Sequence, residues 1–459
     1  MARLNGSSFT HYGWAVCLWS LVVVFQYGYH ISVLNQIQAV LTCKSIAPEP
    51  LLATAFSPTF VDCIPMSDVT FSILTSIFTV GGLAGSLVAN LVMDRWGRRG
   101  ANRICAIIIG IGAALMGLTN SLFLLLLGRV LTGIGSGIGL CVAPIHLAEI
   151  APSRISGSVG ILTQLSIVSG IMLTQVAGIN LATTSHWRYV FFISSCLALF
   201  QLLFASKIVE SPPFLLHKNR MEDHKIARRR LWGDTVLSLA SEESLLNDPE
   251  DLRAEPSEEN VSVPRLFAVN ELRKPLMVVS FAMLAQQICG INAVLYYSND
   301  ILAKSLPEFG AYISLGITVI NVIMTFPPIF LIERLGRRSL LLISSIGAML
   351  SLSVLGYGLN SGASTLSSIA IVIFVMSFAT GLGPIPFVMI PEVSPPHAVS
   401  ALSSVALSLN WIANFSVALT FLPIRNFLSG GDQYKEGLVF YVFVVIFALS
   451  VFLLFRVYK

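Results

Sequence analysis

The sequence predicts an all-α membrane protein whose twelve transmembrane helices form two pseudo-symmetric bundles of six. Hydrophobic residues make up 55% of the 459 residues and charged residues only 11%, whereas about 25% of an ordinary soluble domain is charged. Residues 207–275 contain 24 of the 52 charged side chains, so the rest of the chain is poorer still. A soluble fold could not cover its surface with so few charges, which excludes soluble enzymes, nucleic-acid binders and disordered chains.

Twelve apolar windows are long enough to cross a membrane. A hydrocarbon core about 30 Å thick needs roughly 20 residues of helix, and a helix is required because each backbone N–H and C=O needs a partner in lipid. We therefore expect an integral multi-pass protein in a lipid bilayer. The windows lie at residues 14–36, 69–92, 102–119, 122–144, 157–180, 188–207, 275–300, 311–332, 339–360, 366–390, 400–423 and 438–456.

The distribution of Lys and Arg predicts the orientation of these helices, because cytosolic loops carry an excess of both. If both termini and the 207–275 loop share one side, that side holds 22 of them and the other side holds 5. We therefore expect both termini in the cytosol. In the 37–68 loop on the other side, Cys43 and Cys63 could form a disulfide if that compartment is oxidising; two free thiols are the alternative. No CxxC or His-rich pattern indicates a metal or a cofactor, so we expect neither.

Two motifs repeat and divide the chain into halves. DRWGRR at 94–99 recurs as ERLGRR at 333–338, and EIAP at 149–152 recurs as EVSP at 392–395. Each motif follows the same span of its half, and repeats of this kind mark transporters whose substrate site lies between the halves near the midplane. The predicted units are an N-terminal six-helix bundle at 1–206, a cytosolic linker with surface helices at 207–274 and a C-terminal six-helix bundle at 275–459.

The charged residues of these motifs are a candidate cytosolic latch. In this hypothesis the arginines pair with Glu149, Glu210 and Glu392 and hold the cytosolic side shut. The alternative is that they only follow the positive-inside rule. The candidate set comprises Asp94, Arg95, Arg98, Arg99, Glu149, Arg154, Glu210, Glu333, Arg334, Arg337, Arg338 and Glu392.

The 207–275 loop carries two predicted amphipathic surface segments, HKIARRRLWG at 224–233 and LASEESLLNDPEDLRAEPSEEN at 239–260. Their charges mix both signs, which is typical of a solvated strap that joins the two halves. A regulatory docking site is the alternative.

Uncharged amides and two aromatic residues inside the windows form a candidate substrate site. Polar groups in spans are costly, and an amide both donates and accepts hydrogen bonds without carrying a charge. Gln287 and Asn292 lie roughly 140° apart around an ideal helix, so they share a face only where Gly290 breaks it. Interhelical amide pairing is the alternative. The candidates are Gln164, Gln286, Gln287, Asn292, Asn321, Phe387, Asn410 and Trp411.

Several motifs together carry a resemblance to a known family. They are the two GRR loops, ESP at 210–212, QQICGINAVLYYS at 286–298, GLGPIP at 381–386 and NW at 410–411. Across nearly its whole length the chain resembles the sugar porters of the major facilitator superfamily. YGYH at 27–30 with GLGPIPF at 381–387 is similar to a fungal, vacuole-associated subgroup of metabolite or hexose transporters.

The resemblance implies the major facilitator fold, with two bundles that rock around a central sugar site. It matches Gln164, Gln287 and Asn292 to the family's sugar-binding positions. It also favours a vacuolar or other endomembrane location over the plasma membrane.

The chain also departs from the family's pattern. The family usually has an Arg seven residues after each repeated Glu, but Ser156 and Val399 stand there, and Pro213 replaces a third Arg. Phe387 stands where glucose facilitators carry Trp, and Ala379 replaces a Glu. The three missing cations are expected to weaken the outward-facing state, in which the cytosolic side is closed.

His30 in the first window and Arg129 in the fourth are the candidate coupling pair. By the resemblance, proton-coupled sugar porters carry Asp at the place of His30, whereas facilitators carry Asn. Burial and a neighbouring cation both favour the neutral imidazole, and no carboxylate lies near the middle of any window. Facilitated diffusion is therefore favoured, and a His30 that only braces two helices fits it equally. The alternative is a proton step carried by His30, which requires that one face of the protein meets an acidic lumen.

The leading hypothesis is a secondary transporter, acting as a monomer, that moves a hexose-like sugar or polyol by facilitated diffusion. The alternative is a non-transporting membrane sensor or vacuolar trafficking factor with the same fold, motivated by the missing latch cations. No Ser/His/Asp set or metal cluster is recognisable, so the sequence predicts no enzyme and no catalytic residue.

Overall fold

The computed structural model describes residues 9–43, 63–233, 261–295 and 312–458, and every regular element in these ranges is a helix. Ten helices of the described residues are long and apolar enough to cross a membrane. The α-helices are α1 His11–Leu41, α2 Asp68–Leu118, α3 Leu122–Ile150, α4 Ser156–Leu181, α5 Trp187–Phe204, α6 Pro212–His217, α7 Met221–Trp232, α8 Val263–Ala268, α9 Arg273–Ile288, α10 Ile313–Asn360, α11 Ser364–Ser377, α12 Ile385–Val393, α13 Val399–Ser429 and α14 Leu438–Val457.

Two of the long helices, α2 and α10, each contain two of the twelve predicted windows. A straight helix of 50 residues would measure about 75 Å, more than twice the thickness of a hydrocarbon core of about 30 Å. Gly97 (φ 73°) and Gly336 (φ 80°) interrupt the helical backbone angles with a conformation that is essentially restricted to glycine. Each long helix is therefore two membrane-length helices joined at its GRR motif.

Two spans of the second bundle are also broken. α9 ends at Ile288, Gly290 has a φ of 80°, and residues 291–295 are helical again. α11 passes into a π-helical turn at Phe378–Leu382 before α12 begins after Pro384. Broken helices inside a bundle free backbone carbonyls for other partners, and transporters commonly place their substrate site at such breaks.

One end of the molecule carries Gly97, Gly336 and the helices α6–α8, and we call it the GRR face. Here α7 packs under the first bundle, because Leu231 O accepts from the Thr10 N–H (3.0 Å) and the Trp232 indole donates to Ile150 O (2.9 Å). The predicted surface helix at 224–233 coincides with the last part of α7. The predicted segment at 239–260 lies outside the described residues.

Near the opposite end, the structure joins Cys43 to Cys63, with Cα atoms 5.3 Å apart. The pair ties the end of α1 to the residues just before α2, and Ile64 N–H donates to Leu41 O (2.9 Å) beside it. The remaining cysteines are free, and all of them except Cys196 are buried.

Candidate functional site

The two bundles meet around Trp411 of α13, which is 2% exposed. Its ring lies edge-on to Tyr27 (5.6 Å between centroids) and Phe78 (5.9 Å), both from the first bundle. A Cβ at Gly82 would lie only 2.5 Å from the same ring, so this close approach requires glycine. Trp411 therefore crosses the interface between the halves, where the sequence predicted the substrate site.

A chain of side-chain amides runs beside Trp411. Asn292 Nδ2 donates to Gln287 Oε1 (3.0 Å), Gln287 Nε2 donates to Asn410 Oδ1 (3.2 Å), and Asn410 Nδ2 donates to Gln286 Oε1 (2.8 Å). The break at Gly290 brings Gln287 and Asn292 onto one face. The structure therefore brings together four of the six predicted amides, from two helices that are far apart in the sequence.

Gln286 anchors this chain to the second broken span. Its Nε2 donates to the carbonyls of Gly383 (2.7 Å) and Leu382 (3.2 Å), at the end of the π-helical turn. These carbonyls are released from regular helical hydrogen bonding by the break. Gln286 is 3% exposed, and both its amide nitrogen and its amide oxygen are already hydrogen-bonded. It therefore braces the site and has little hydrogen-bonding capacity left for a ligand.

Three polar groups of the predicted site residues make no hydrogen bond to the described protein. Asn321 Oδ1 and Trp411 Nε1 are buried without a partner. The Gln164 side chain is 6% exposed, and none of the described hydrogen bonds reaches its amide, although the amide is not as fully buried as the other two atoms. Gln164 faces the amide chain from the first bundle, since a Cβ at Gly383 would lie 3.2 Å from its Nε2. Unpaired buried polar groups in a folded protein require an explanation, and a bound ligand rich in hydroxyls would supply the missing partners.

The aromatic candidate Phe387 lies on α12, just after the break, and is 5% exposed. It belongs to the same buried apolar cluster as Trp411. Asn321 lies on α10 at 7% exposure, and the described hydrogen bonds do not join it to the amide chain.

His30 lies buried at 0% exposure in α1. Its Nε2 is 2.7 Å from Ser194 Oγ, and the Ser194 hydroxyl donates to Gln26 Oε1 (3.1 Å). Because that hydroxyl has one proton to give, His30 Nε2 carries the proton of their contact. His30 Nδ1 is buried without a partner, so a second proton on the ring would be an unpaired buried donor.

Arg129 donates to the backbone of His30, and its charge also acts on the imidazole ring. The guanidinium donates to His30 O (2.8 Å) and Leu74 O (3.4 Å), and it lies 4.5 Å from the centre of the Phe78 ring. The predicted pair is therefore adjacent in space, and the hydrogen bond between the two residues is made by the His30 carbonyl, which does not titrate.

On the first half of the GRR face, Arg98 Nη2 and Glu149 Oε1 form a short ion pair (2.7 Å). Glu210 instead accepts from the backbone N–H groups of Arg98 (2.8 Å) and Arg99 (3.1 Å), at the turn made by Gly97. Burial raises the pKa of the Glu210 carboxyl group, and the backbone N–H donors oppose that shift. Glu210 therefore caps the start of the second part of α2.

On the second half, Arg337 binds two carboxylates. It donates to both oxygens of Glu392 (2.6–3.0 Å) and to Glu333 Oε2 (3.1 Å). Glu333 Oε1 also accepts from the backbone N–H of Ser158 (3.3 Å), and Ser158 Oγ donates to Ile329 O (2.7 Å). Ser158 belongs to the first bundle, so this cluster reaches across to the other half.

The other latch candidates make different contacts. Asp94 interacts with Ser400 of the second half. Arg95 lies over the Trp96 ring (5.1 Å) and Arg338 over the Phe455 ring (5.8 Å). The side chains of Arg154 and Arg334 are exposed.

Uncharged groups also join the two halves near the GRR face. Asn90 N–H donates to Ser404 Oγ (2.9 Å) and Ser403 Oγ donates to Cys141 O (3.3 Å), both between the halves. Below them a cavity of about 580 Å³ is lined by residues of both halves and of α7, including Val399. Glu149 Oε2 and Arg228 Nε are buried without a partner and their side chains line this cavity. An Arg at Val399, as in the family, would enter this space.

Sequence reasoning missed the groups that hold His30 and the serines that join the halves. Gln26 stands four residues before His30, a spacing that puts both on one helix face, so it could have been found. Ser194, Ser158 and Ser404 carry no such signal, because a serine in a span is common and its partner depends on helix packing.

Comparison with known proteins places these features in context. Residues 16–458 match the sequence profile of the family described as sugar (and other) transporters. The chain is 34% identical over 451 residues to the facilitated glucose transporter member 3 of solute carrier family 2 from Ovis aries, covering 93% of this chain and 86% of that protein. It is 30% identical over 439 residues to the vacuolar protein sorting-associated protein 73 of Saccharomyces cerevisiae, covering 92% and 88%.

Among solved structures, the proton:xylose symporter XylE of the major facilitator superfamily, bound to 6-bromo-6-deoxy-D-glucose, superposes with a TM-score of 0.79. The sequence identity is 21%, and the match covers 97% of this chain and 95% of that one. This likeness confirms the predicted major facilitator fold.

Proposed function

Because the chain belongs to the sugar transporter family of the major facilitator superfamily, we propose that it moves a hexose-like sugar or polyol across a membrane by facilitated diffusion. The family consists of transporters, and the chain is accordingly not an enzyme. In this proposal the bundles at 1–206 and 275–459 alternate around the site at Trp411, and the 207–274 segment links them.

The unpaired polar groups at the bundle interface carry the proposal. A sugar presents hydroxyls that donate and accept, and Gln164, Asn321 Oδ1 and Trp411 Nε1 offer both kinds of partner. The apolar faces of Trp411 and Phe387 suit the C–H face of a sugar ring. No charged side chain is among these groups, so binding is of the moderate strength that permits release.

The groups around His30 support facilitated diffusion over proton symport. Nε2 of the neutral ring is paired with Ser194, and Arg129 donates to the carbonyls of His30 and Leu74. A proton carrier would need a group whose charge changes its contact with Arg129 as the bundles move. In this structure that contact is made by the His30 carbonyl, which does not titrate.

A membrane sensor or trafficking factor is the second candidate function. The cavity beside Val399 favours it, because a weakened closed state slows the cycle without removing the sugar site. The sorting-associated yeast relative also favours this candidate and a vacuolar or other endomembrane location.

Uptake and binding measured on the same preparation distinguish the two functions. The full chain, reconstituted in vesicles, is offered a panel of radiolabelled hexoses, pentoses and polyols, and binding is measured in detergent. A transporter gives saturable uptake of the sugars that it binds. Binding without uptake contradicts the proposal and favours the sensor, whereas failure to bind any of the panel contradicts both.

A further inference from the structure

A second cavity, of about 440 Å³, lies on the GRR face beside the turn at Gly97. It opens between the 95–103 segment and the residues that follow Glu210. Its lining contains five cations and one carboxylate, which gives it a strongly positive character. The cations are Arg95, Arg99, Arg103, Lys218 and Arg220.

The carboxylate of Glu210 does not neutralise these cations by direct contact. Its Oε1 accepts from the backbone N–H groups of Arg98, Arg99 and Ser211, and its Oε2 accepts from Arg99 N–H. Its lone pairs are therefore directed at the helix start and not at the guanidinium groups that line the cavity.

Arg99, Arg103 and Lys218 contact neutral groups that do not offset their charge, whereas the exposed Arg220 is paired with Asp223 (2.7 Å). Arg99 and Arg103 donate to the carbonyls of Ile208 (2.8 Å) and Ala205 (2.7 Å), and Lys218 lies over the Phe214 ring (5.6 Å). Arg99 and Arg103 are four residues apart on one helix, where like charges are destabilising. A built site that gathers like charges is typical of an anion-binding site.

The cavity opens next to an apolar surface. Trp96, which lines it, is 50% exposed, and Leu216, Phe204 and Leu203 nearby are also exposed. Exposed Trp is enriched at the membrane–water boundary, and clusters of Lys and Arg beside a membrane helix attract anionic headgroups. These features favour a cavity that lies at the boundary between the headgroup layer and water.

We propose that this cavity binds a phosphate-bearing anion with at least two negative charges. The ligand chemistry has two sources, the headgroup of a phosphorylated inositol lipid or a soluble phosphate ester. In either case the anion draws Lys218 and Arg220, which follow α6, toward Arg99 and Arg103 of α2. It thereby fastens the start of the linker to the first bundle, a role separate from sugar transport.

The test uses the full chain in phosphatidylcholine nanodiscs and two probes. The lipid probe is phosphatidylinositol 4,5-bisphosphate included in the disc, and the soluble probe is inositol 1,4,5-trisphosphate added to the buffer. The variant Lys218→Gln/Arg220→Gln removes two cavity cations that are exposed, so the fold is retained. The control Lys225→Gln/Arg229→Gln removes two cations from α7 that do not line the cavity.

At least one probe is expected to bind the parent chain, and the cavity variant is expected to weaken that binding about thirtyfold. The control should change it less than about twofold. Binding of the lipid probe alone identifies the membrane as the source, and binding of the soluble probe shows that water supplies the ligand. Failure of both probes, or equal loss in the control, overturns the proposal. Sugar uptake is not part of either readout, so this test is independent of the transport proposal.

Discussion

Gln164→Ala and Gln286→Ala are expected to separate ligand binding from stability within one site. Gln286 makes three hydrogen bonds, to Gly383, Leu382 and Asn410, whereas Gln164 makes none to the described protein. The first substitution therefore removes a group that the protein itself does not use, and the second removes the anchor of the amide chain.

The magnitudes follow from the groups that each substitution leaves unpaired. Gln286→Ala strips the main partner from Asn410 Nδ2 and from Gly383 O, and each unsatisfied buried group costs about 1–3 kcal/mol. We expect a loss of about 2–6 kcal/mol in the free energy of unfolding. Gln164→Ala leaves folding almost unchanged but removes one ligand partner, which corresponds to a rise in the sugar Kd of about 5- to 150-fold.

Thermal unfolding and sugar binding, both followed through tryptophan fluorescence in detergent, measure the two effects. Trp411 lies in the site, so its emission also reports ligand binding. A Gln164→Ala chain that binds sugar like the parent would refute the assignment of Gln164 to the ligand. A Gln286→Ala chain as stable as the parent would refute the bracing role of the amide chain.

Three further predictions concern the turns, the closed face and the coupling pair. Gly97→Ala should lower the free energy of unfolding more than Gly336→Ala does. Both variants lose about 1–3 kcal/mol to backbone strain, but only the new Cβ at position 97 meets a carboxylate oxygen, that of Glu210 at 2.5 Å. Equal shifts in the unfolding temperature would argue against this. Arg337→Ala frees both of its glutamates and should favour opening of the GRR face, seen as faster alkylation of a cysteine introduced there; an unchanged rate would contradict it. His30→Asn should leave sugar flux independent of an imposed pH gradient, as in the parent, and gradient-driven accumulation that this variant abolishes would make His30 a proton carrier.

The sequence predicted the spans well because the requirement for apolar helical segments is local. All twelve windows fall on described helices at least in part, and α5 and α14 match to within a few residues. What local patterns could not show is that the chain stays helical on both sides of Gly97 and Gly336. That continuity depends on how closely the flanking helices can pack at the turn.

The sequence predicted several residues that the structure brings together, but not which hydrogen bonds each of them makes. The amides were found because polar residues in spans are rare, and Gly290 correctly indicated the break that joins Gln287 to Asn292. Nothing local to Gln286 distinguishes it from Gln287, because their roles differ only through the carbonyls released at the π-helical turn. The sequence likewise predicted that the repeated arginines pair with glutamates, as Arg98 and Arg337 do. It did not predict the contact of Ser158 with Glu333, because that contact depends on how the helices pack.

The most direct test of sugar transport by alternating access is counterflow in vesicles with equal pH on both sides. Vesicles containing the full chain are loaded with unlabelled glucose and diluted into a trace of labelled glucose, and the internal label is followed with time. A carrier that alternates around one site without proton coupling gives a transient rise of internal label above its equilibrium level. A rise that never exceeds equilibrium, or the absence of any uptake of a sugar that the chain binds, would contradict the account.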